Sequence, residues 1–365
     1  MDNLNLRVER PKDYSAVLRL TYEAFLTLDY PGRRRMDEHF LIHLLQGTEY
    51  PIAGLSFVAE YEGEIIGHIL YTHSKLIRAD GSEIPTVTFG PLSVLPKYQR
   101  QSVGRTLVNH SMKTARDMGF GAVMITGVPD YYPKLGFRRG RDFDVTLPDG
   151  TSPDALMGYE LIPGWLSSGG TLVFDANGIF EQAENDDAGF AAFHKGFMAG
   201  YYPGQLTLRP FFDADIDLME NWLYTPHVAQ WYKHPDHWLH ELRERRGEFS
   251  FIHHLIAEYE GAPIGFCQYY DTHFAQAHEI WNDAWHIAER KSEVYSIDYL
   301  IGEPEFLRRG FGKEMILLLL QKIKVASGKT VIVQPEKENA SSCRALESAG
   351  FKYNGEDYVL GIDDL

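Results

Sequence analysis

At 365 residues the chain is longer than one hydrophobic core usually serves, so two domains are expected. Its 44% hydrophobic and 24% charged content is that of a globular protein, and the longest apolar run, Met315–Leu320, is far too short to cross a bilayer. A net charge of −16 with no basic stripe excludes nucleic acid as the expected partner and favours cationic small molecules. Only Cys267 and Cys343 occur, which excludes a disulfide framework or a cysteine-based zinc site and fits a reducing cytoplasm. No basic n-region or apolar h-region opens the chain, so no signal peptide and no membrane attachment are expected.

Taken in order, Leu4-x-Leu6-Arg7 reads as an edge strand and Tyr14–Leu28 as an amphipathic helix. Phe57–Tyr61 and Ile65–Thr72 form a hairpin turning at Glu62-Gly63-Glu64. A central strand follows at Thr86–Leu95, then a Gly-containing loop, a helix ending near Gly119 and a strand at Ala122–Thr126. Thr146–Phe180 reads as extra strands reversing at Pro163-Gly164, and Gln182–Gly204 as a linker with a helix near Gly189–Met198.

The pattern then repeats. Leu206-x-Leu208-Arg209 and Ile216–Leu223 match the opening strand and helix. The hairpin strand Ala59-Glu60-Tyr61-Glu62-Gly63-Glu64-Ile65-Ile66-Gly67 returns as Ala257-Glu258-Tyr259-Glu260-Gly261-Ala262-Pro263-Ile264-Gly265. A central strand at Val294–Ile301, a loop, a helix ending near Gly328 and a strand at Thr330–Gln334 complete it. A repeat this long is a pair of whole domains, 1–181 and 205–365 joined by 182–204, each α/β (α+β) with a mixed central sheet. The second copy runs ten residues longer ahead of its central strand. The extra segment carries Asp271, Glu279, Asp283, Glu289, Glu293, Trp281 and Trp285, which read either as a lining for a cationic ligand or as a solvated amphipathic helix.

The loops Gln99-Arg100-Gln101-Ser102-Val103-Gly104-Arg105 and Leu307-Arg308-Arg309-Gly310-Phe311-Gly312-Lys313 each lie between a strand and a helix. Backbone N–H groups there suit an anion, while the Walker A and Rossmann patterns are absent. Both loops resemble the CoA-pyrophosphate loop of the GNAT superfamily of N-acetyltransferases, with Ser102 in place of the first glycine and Leu307 in place of the leading Arg or Gln. The resemblance covers nearly the whole chain, one GNAT domain per half. The first half is similar to a bacterial GNAT subgroup through Phe89–Pro96, Tyr131–Phe137 and Glu160–Gly164. The second is similar to aminoglycoside 6′-N-acetyltransferases through Gln230-Trp231-Tyr232, Gly261–Gly265, Ser296-Ile297-Asp298 and Gln334–Phe351.

The resemblance implies acetyl-CoA as cofactor and direct attack by an amine, without an enzyme nucleophile. It implies that backbone N–H groups of Leu92, Ser93 and Val94, or of Tyr299, Leu300 and Ile301, meet the pantetheine and thioester oxygen; such donors are often worth ~3 kcal/mol of barrier. The loop residues Gln99, Arg100, Gln101, Ser102, Val103, Gly104 and Arg105 in the first half, and Arg308, Arg309, Gly310, Phe311, Gly312 and Lys313 in the second, would hold the pyrophosphate, with Asn339, itself a helix-start residue, beside the CoA. Asp298, a carboxylate inside an apolar strand, is the expected base or ammonium ligand; the alternative is a structural ion pair. Tyr132, four residues before Gly136, is the expected general acid, or else a core aromatic. The equivalent position in the second half is Leu346. Trp231 and Tyr232, either as stacking partners of the acceptor or as core aromatics, and Asp271 are the expected acceptor contacts. No metal site is expected, although His234, His237 and His240 are spaced three apart.

These readings point to acetyl transfer onto a primary amine of a small cationic molecule, with aminoglycosides as candidates and the second domain as the active one. Two alternatives stay open: a first-domain enzyme acting on a peptide, amino acid or polyamine amine, and a non-catalytic acyl-CoA-binding module. A homo-oligomer is also left open.

Overall fold

The structure is a computed structural model and describes residues 3–26, 28, 34–275 and 290–364. The insertion residues Glu279, Asp283, Glu289, Trp281 and Trp285 lie outside the described residues. Two compact units divide the chain, one holding most residues up to Phe190 and the other those from Ala191 onward.

In the first unit the strands are β1 (Asn5–Val8), β2 (Phe57–Tyr61), β3 (Glu64–Ile77), β4 (Glu83–Val94), β5 (Ala122–Thr126), β6 (Arg138–Arg139), β7 (Val145–Thr146), β8 (Leu156–Glu160) and β9 (Gly170–Phe174). The helices are α1 (Tyr14–Phe25), α2 (Glu38–Leu45), α3 (Val103–Asp117) and α4 (Ile179–Asn185), followed by α5 (Asp187–Tyr201). The sheet order is β1-β2-β3-β4-β5-β8-β6, with β9 pairing β3 and β7. The stretch expected as a linker is thus largely helical, in α4 and α5.

In the second unit the strands are β10 (Leu206–Pro210), β11 (Ile252–Tyr259), β12 (Ala262–Asp271), β13 (Val294–Ile301), β14 (Thr330–Val333), β15 (Lys352–Tyr353) and β16 (Tyr358–Gly361). The helices are α6 (Ile216–Leu223), α7 (Pro226–Ala229), α8 (Pro235–Arg243), α9 (Thr272–Ala275), α10 (Phe311–Val325) and α11 (Ala340–Ser348). The sheet order is β10-β11-β12-β13-β14-β16-β15. Both sheets are antiparallel except at the centre, where β4 pairs β5 and β13 pairs β14 in parallel, and at the short β7–β9 pair of the first sheet, which is also parallel. A parallel pair needs a crossover, and α3 and α10 supply it. Among the described residues no helix is long and apolar enough to cross a membrane.

Alternation along the strands assigns the two faces. On one face of the second sheet Leu255, Cys267 and Ile297 pack beneath α10 through Met315, Leu319 and Ile323. On the other, Ile256, Phe266 and Leu300 pack with Trp222 and Leu223 of α6 and Leu239 and Leu242 of α8. Gly265 permits a close approach: a Cβ there would meet the Leu300 carbonyl and lie 3.2 Å from Met315 Cε. The same ion-pair trio ties the opening strand to the hairpin in each unit. Arg7 bonds Asp13 at 2.6 Å and Glu60 at 2.8 Å, and Arg209 bonds Asp215 and Glu258 at 2.7 Å each. In the second unit His194 adds a 3.0 Å contact to Glu258, and all four side chains are buried or nearly so.

Candidate active site

Each sheet opens at its centre. The ladder between β4 and β5 holds one register pair, Val87–Val123, and that between β13 and β14 two, Val294–Thr330 and Tyr295–Val331. Beyond those pairs the central strand parts from its neighbour, leaving backbone groups on one edge without a strand partner. Alternation decides which residues those are. Leu95 N–H donates to Ile66 O at 3.0 Å and Gly302 N–H to Ile264 O at 2.9 Å, so these residues face the antiparallel neighbour. Two residues back, Ser93 and Leu300 turn the same way. Leu92 and Val94, and Tyr299 and Ile301, therefore turn toward the opening, whereas Ser93 and Leu300, expected beside them, belong to the ladder.

Side chains already occupy some of these edge carbonyls. Gln99 Nε2 donates to Val94 O at 3.1 Å, and the Tyr232 hydroxyl donates to Tyr299 O at 2.9 Å. His227 Nε2 lies 2.9 Å from Ile301 O. Tyr232 packs on Trp238 and so braces the central strand through its hydroxyl; Trp231 is half-buried nearby in sequence.

The two loops fold alike. Arg100 (φ 58°) and Ser102 (φ 69°) in one, and Arg308 (φ 60°) and Gly310 (φ 89°) in the other, take the left-handed conformation at alternate positions. Alternating handedness turns successive N–H groups inward into an anion cradle, and the helix that follows adds unsatisfied N–H groups and partial positive charge. Neither α3 nor α10 has a side-chain cap, so nothing of the loop itself takes that role. Val103 and Phe311 bury their side chains in the core, so only their backbone faces the cradle. Gln101 donates to Lys97 O, and Arg309 lies over the Phe306 and Phe311 rings at 5.0 and 5.4 Å. Both are thereby committed to local packing. Gly312 and Lys313 lie in the first turn of α10, and Gly104 and Arg105 in that of α3.

Asp298 sits on the α6–α8 face of β13. Cross-strand register aligns it with Gln268 of β12, and Gln268 with His254 of β11. Gln268 is fully buried and donates from Nε2 to Asp298 Oδ2 at 3.0 Å. Its Oε1 is buried without a hydrogen-bond partner among the described residues. His254 Nε2 pairs with Glu241 Oε1 of α8 at 3.0 Å. Burial pushes the Asp298 carboxyl up to about 6; the Gln268 hydrogen bond opposes the rise and the Glu241 charge adds to it. A carboxyl titrating there is ionised at neutral pH and is a far stronger base than an ordinary aspartate.

In the first domain Tyr132 packs between Phe89 (5.8 Å) and Phe137 (5.5 Å), and burial pushes its phenol well up. Gly127 makes room for its ring: a Cβ there would strike it. Tyr131, the neighbour, extends over the start of α3, where its hydroxyl lies 3.0 Å from where a Gly104 Cβ would be. Burial raises Tyr131 too, with Arg105 opposing.

Two of the expected site residues hold backbone groups. Asp271, expected at the acceptor, is buried and accepts from His273 N–H at 3.1 Å and Ser292 N–H at 2.7 Å. Both its oxygens thus hold the ends of the inserted segment. Asn339 caps α11, its Oδ1 accepting from Ser342 N–H at 3.1 Å. Leu346 is fully buried in the core. The residues missed in the sequence are Gln268, His254 and Glu241. Their signal is cross-strand register, which a hairpin alignment around Gly265 would have supplied for Gln268.

Comparison with known proteins agrees with this architecture. Residues 20–137 match the acetyltransferase (GNAT) family and residues 212–357 the acetyltransferase (GNAT) domain. The chain carries two GNAT acetyltransferase domains in tandem. It is 37% identical over 97 residues to an uncharacterized N-acetyltransferase, YjhQ, of Escherichia coli K12, covering 27% of this chain and 53% of that protein. The chain thus spans about half the length of that relative. It is 24% identical over 157 residues to an aminoglycoside N(6′)-acetyltransferase type 1 of Klebsiella pneumoniae, covering 41% of this chain and 75% of that protein. Among solved structures, the GNAT N-acetyltransferase YhbS of Escherichia coli in complex with CoA shares 23% identity at a TM-score of 0.42, covering 49% of this chain and 92% of that one.

Proposed function

We propose that the chain transfers an acetyl group from acetyl-CoA to a primary amine of a small cationic molecule, with turnover in the second domain. The observation that carries this reading is Asp298: a carboxyl with a raised pKa, held by a buried amide, on the strand that borders the opening of the sheet. An amine arrives as an ammonium and must lose a proton before it can attack. Asp298 both attracts the cation and accepts that proton, and a positioned base of suitable pKa contributes about 10²–10⁴-fold. Gln268 Oε1, which has no hydrogen-bond partner among the described residues, offers the ammonium a second acceptor.

The loop cradles fit a CoA pyrophosphate, since both present inward N–H groups at an uncapped helix start. Arg308, Gly310, Phe311, Gly312 and Lys313 would hold it in the second domain. The N–H groups of Tyr299 and Ile301 would meet the pantetheine arm. Bound there, the thioester supplies an activated acetyl group. The first domain, with a similar cradle and opening but with Glu83, exposed at the start of β4 and paired with Lys75, as that strand's carboxylate, would bind CoA and support the fold. The acidic balance of the second half favours a cationic acceptor: residues 206–365 hold 16 Lys+Arg against 26 Asp+Glu. Aminoglycosides head the candidates because one relative bears that name.

The test is thiol release from acetyl-CoA across aminoglycosides, polyamines and peptides, for wild type and Asp298→Asn. Turnover that collapses in the variant supports the assignment. Turnover indifferent to Asp298 overturns it and moves attention to Tyr131 and Tyr132.

A further inference from the structure

The second domain, as read above, has a base but no proton donor for the sulfur: the helix position that carries Tyr132 in the first domain carries the buried, apolar Leu346 in the second. The central strands show the reverse exchange. Leu92 and Tyr299 each lie two residues before the residue paired with the hairpin glycine, Val94 opposite Gly67 and Ile301 opposite Gly265. Strand leucine with helix tyrosine in one domain thus becomes strand tyrosine with helix leucine in the other. Each pair lies in the core cluster under its crossover helix, Leu92 with Tyr132 and Tyr299 with Leu346.

The Tyr299 side chain leaves β13 on the face opposite Asp298 and ends on α11. Its hydroxyl lies 2.7 Å from Ser342 Oγ and 3.3 Å from Ser342 O. It therefore reaches across to the helix that follows β14, beyond the two residue pairs where β13 and β14 still touch. Ser342 is itself fixed, because its N–H is held by the Asn339 cap. The phenol donates to the Ser342 carbonyl at 3.3 Å; with Ser342 Oγ–H donating to the phenol oxygen, that long bond is the one the phenol proton gives up to reach a third group. Burial raises the phenol, so it keeps that proton at neutral pH.

We propose that Tyr299 is the catalytic proton donor of the second domain, giving its phenol proton to the departing sulfur while Ser342 steadies the phenolate. This rests on the acetyl-transfer reading above. The balance is closed. The N–C bond forms and the C–S bond breaks; an ammonium loses two protons through Asp298 to water. Sulfur gains one from Tyr299, which water restores, and one proton is released overall.

The test uses the full chain with CoA, whose thiol is titrated by thiolate ultraviolet absorbance in wild type, Y299F and S342A. A hydroxyl donating to sulfur favours the thiolate, so Y299F should weaken ionisation of the bound thiol about tenfold, with S342A smaller in the same direction. CoA stoichiometry in each variant shows that the fold and both cradles survive. In turnover, Y299F should lower kcat about 10–100-fold with the amine KM unchanged. CoA bound to the variant with every thiol titration unmoved overturns the Tyr299 assignment and leaves acetyl transfer standing. A wild-type chain that binds no CoA overturns both.

Discussion

Three residues back from the strand end, where the hairpin glycine pairs, the second domain has Asp298 and the first has Pro91. The neighbouring row differs in step. Counting from the matched Ala-Glu-Tyr-Glu-Gly segments, Gln268 corresponds to Leu70 and His254 to Ser56. One domain thus carries a buried polar row, His254–Gln268–Asp298, where the other has Ser56, Leu70 and Pro91, and Leu70 packs in a core cluster with Val17 and Ile42. The first domain has its own polar pair one row away: His68 stands opposite Ser93, where the second has Phe266 opposite Leu300. What the domains keep in common is the frame: the Arg–Asp–Glu trio, the parted central strand and the loop cradle. A fold held by those shared parts lets the row beneath the helices become more polar, because a buried polar row is tolerated where its members find partners.

The sharpest way to break this contrast is Asp298→Asn. Amine-dependent thiol release should fall about 10²–10⁴-fold in steady-state assays. Tyr132→Phe should leave that rate in place if the second domain carries turnover. The same Asp298→Asn variant should be more stable at neutral pH. Asp298 titrates at about 6 when folded against 3.8 unfolded, so the folded state binds its proton more tightly and stability falls as pH rises between those values. Removing the charge should return about 3 kcal/mol, read as a higher midpoint in urea at pH 7 and no gain at pH 3.

Next in size is the trio. Arg209→Met leaves Asp215 and Glu258 buried without their cation and should cost about 3–5 kcal/mol, whereas Arg7→Met, in the more open trio, should cost about 1–2 kcal/mol. Two-transition denaturation would assign each loss to its domain. Glu258 is held well below its ordinary 4.5 mainly by Arg209 and His194 against the cost of burial, so its stabilisation is full above pH 4.5 and is lost on acidification. Equal losses from the two arginine variants would end the claim that burial separates the trios.

A smaller effect concerns pH and rate. Because Asp298 must be ionised to accept a proton, kcat/KM should rise with pH through about 6 and then level. Gln268→Leu removes the hydrogen bond that opposes the rise, so that limb should move to higher pH. An unmoved limb would detach Gln268 from the acid. The smallest effect is in the loops. Ser102 occupies a left-handed position that glycine fills in the second domain, and Ser102→Gly should relieve about 1 kcal/mol of strain there. Gly310→Ser should impose a similar penalty, measured by thermal midpoint.

Much of the fold was legible because it repeats. The strand Ala59–Gly67 and its copy Ala257–Gly265 fixed two hairpins, and loop, helix and strand followed in matching order. Period and turn chemistry are local properties, so a sequence carries them openly. Asp298 was legible for the same reason: a carboxylate in an apolar strand breaks a local pattern. Gln268, His254 and Glu241 were not, because each is unremarkable in its own segment and becomes a partner only when strands pair in register and α8 closes over them. Asp271 misled for the converse reason. Its sequence setting among acids and tryptophans suggested a ligand, while its oxygens hold the His273 and Ser292 backbone.

By itself, the sequence determined that the chain holds two copies of one α/β unit, where their loops lie and which strand carries the exceptional acid. Those follow from spacing, glycine placement and hydrophobic period, which act over a few residues. The tertiary structure alone decided which backbone groups face the opening, that Tyr299 reaches Ser342 rather than solvent, and that the Asp298 carboxyl is shifted toward neutrality. Those depend on register, alternation and burial, quantities that exist only once distant segments have come together.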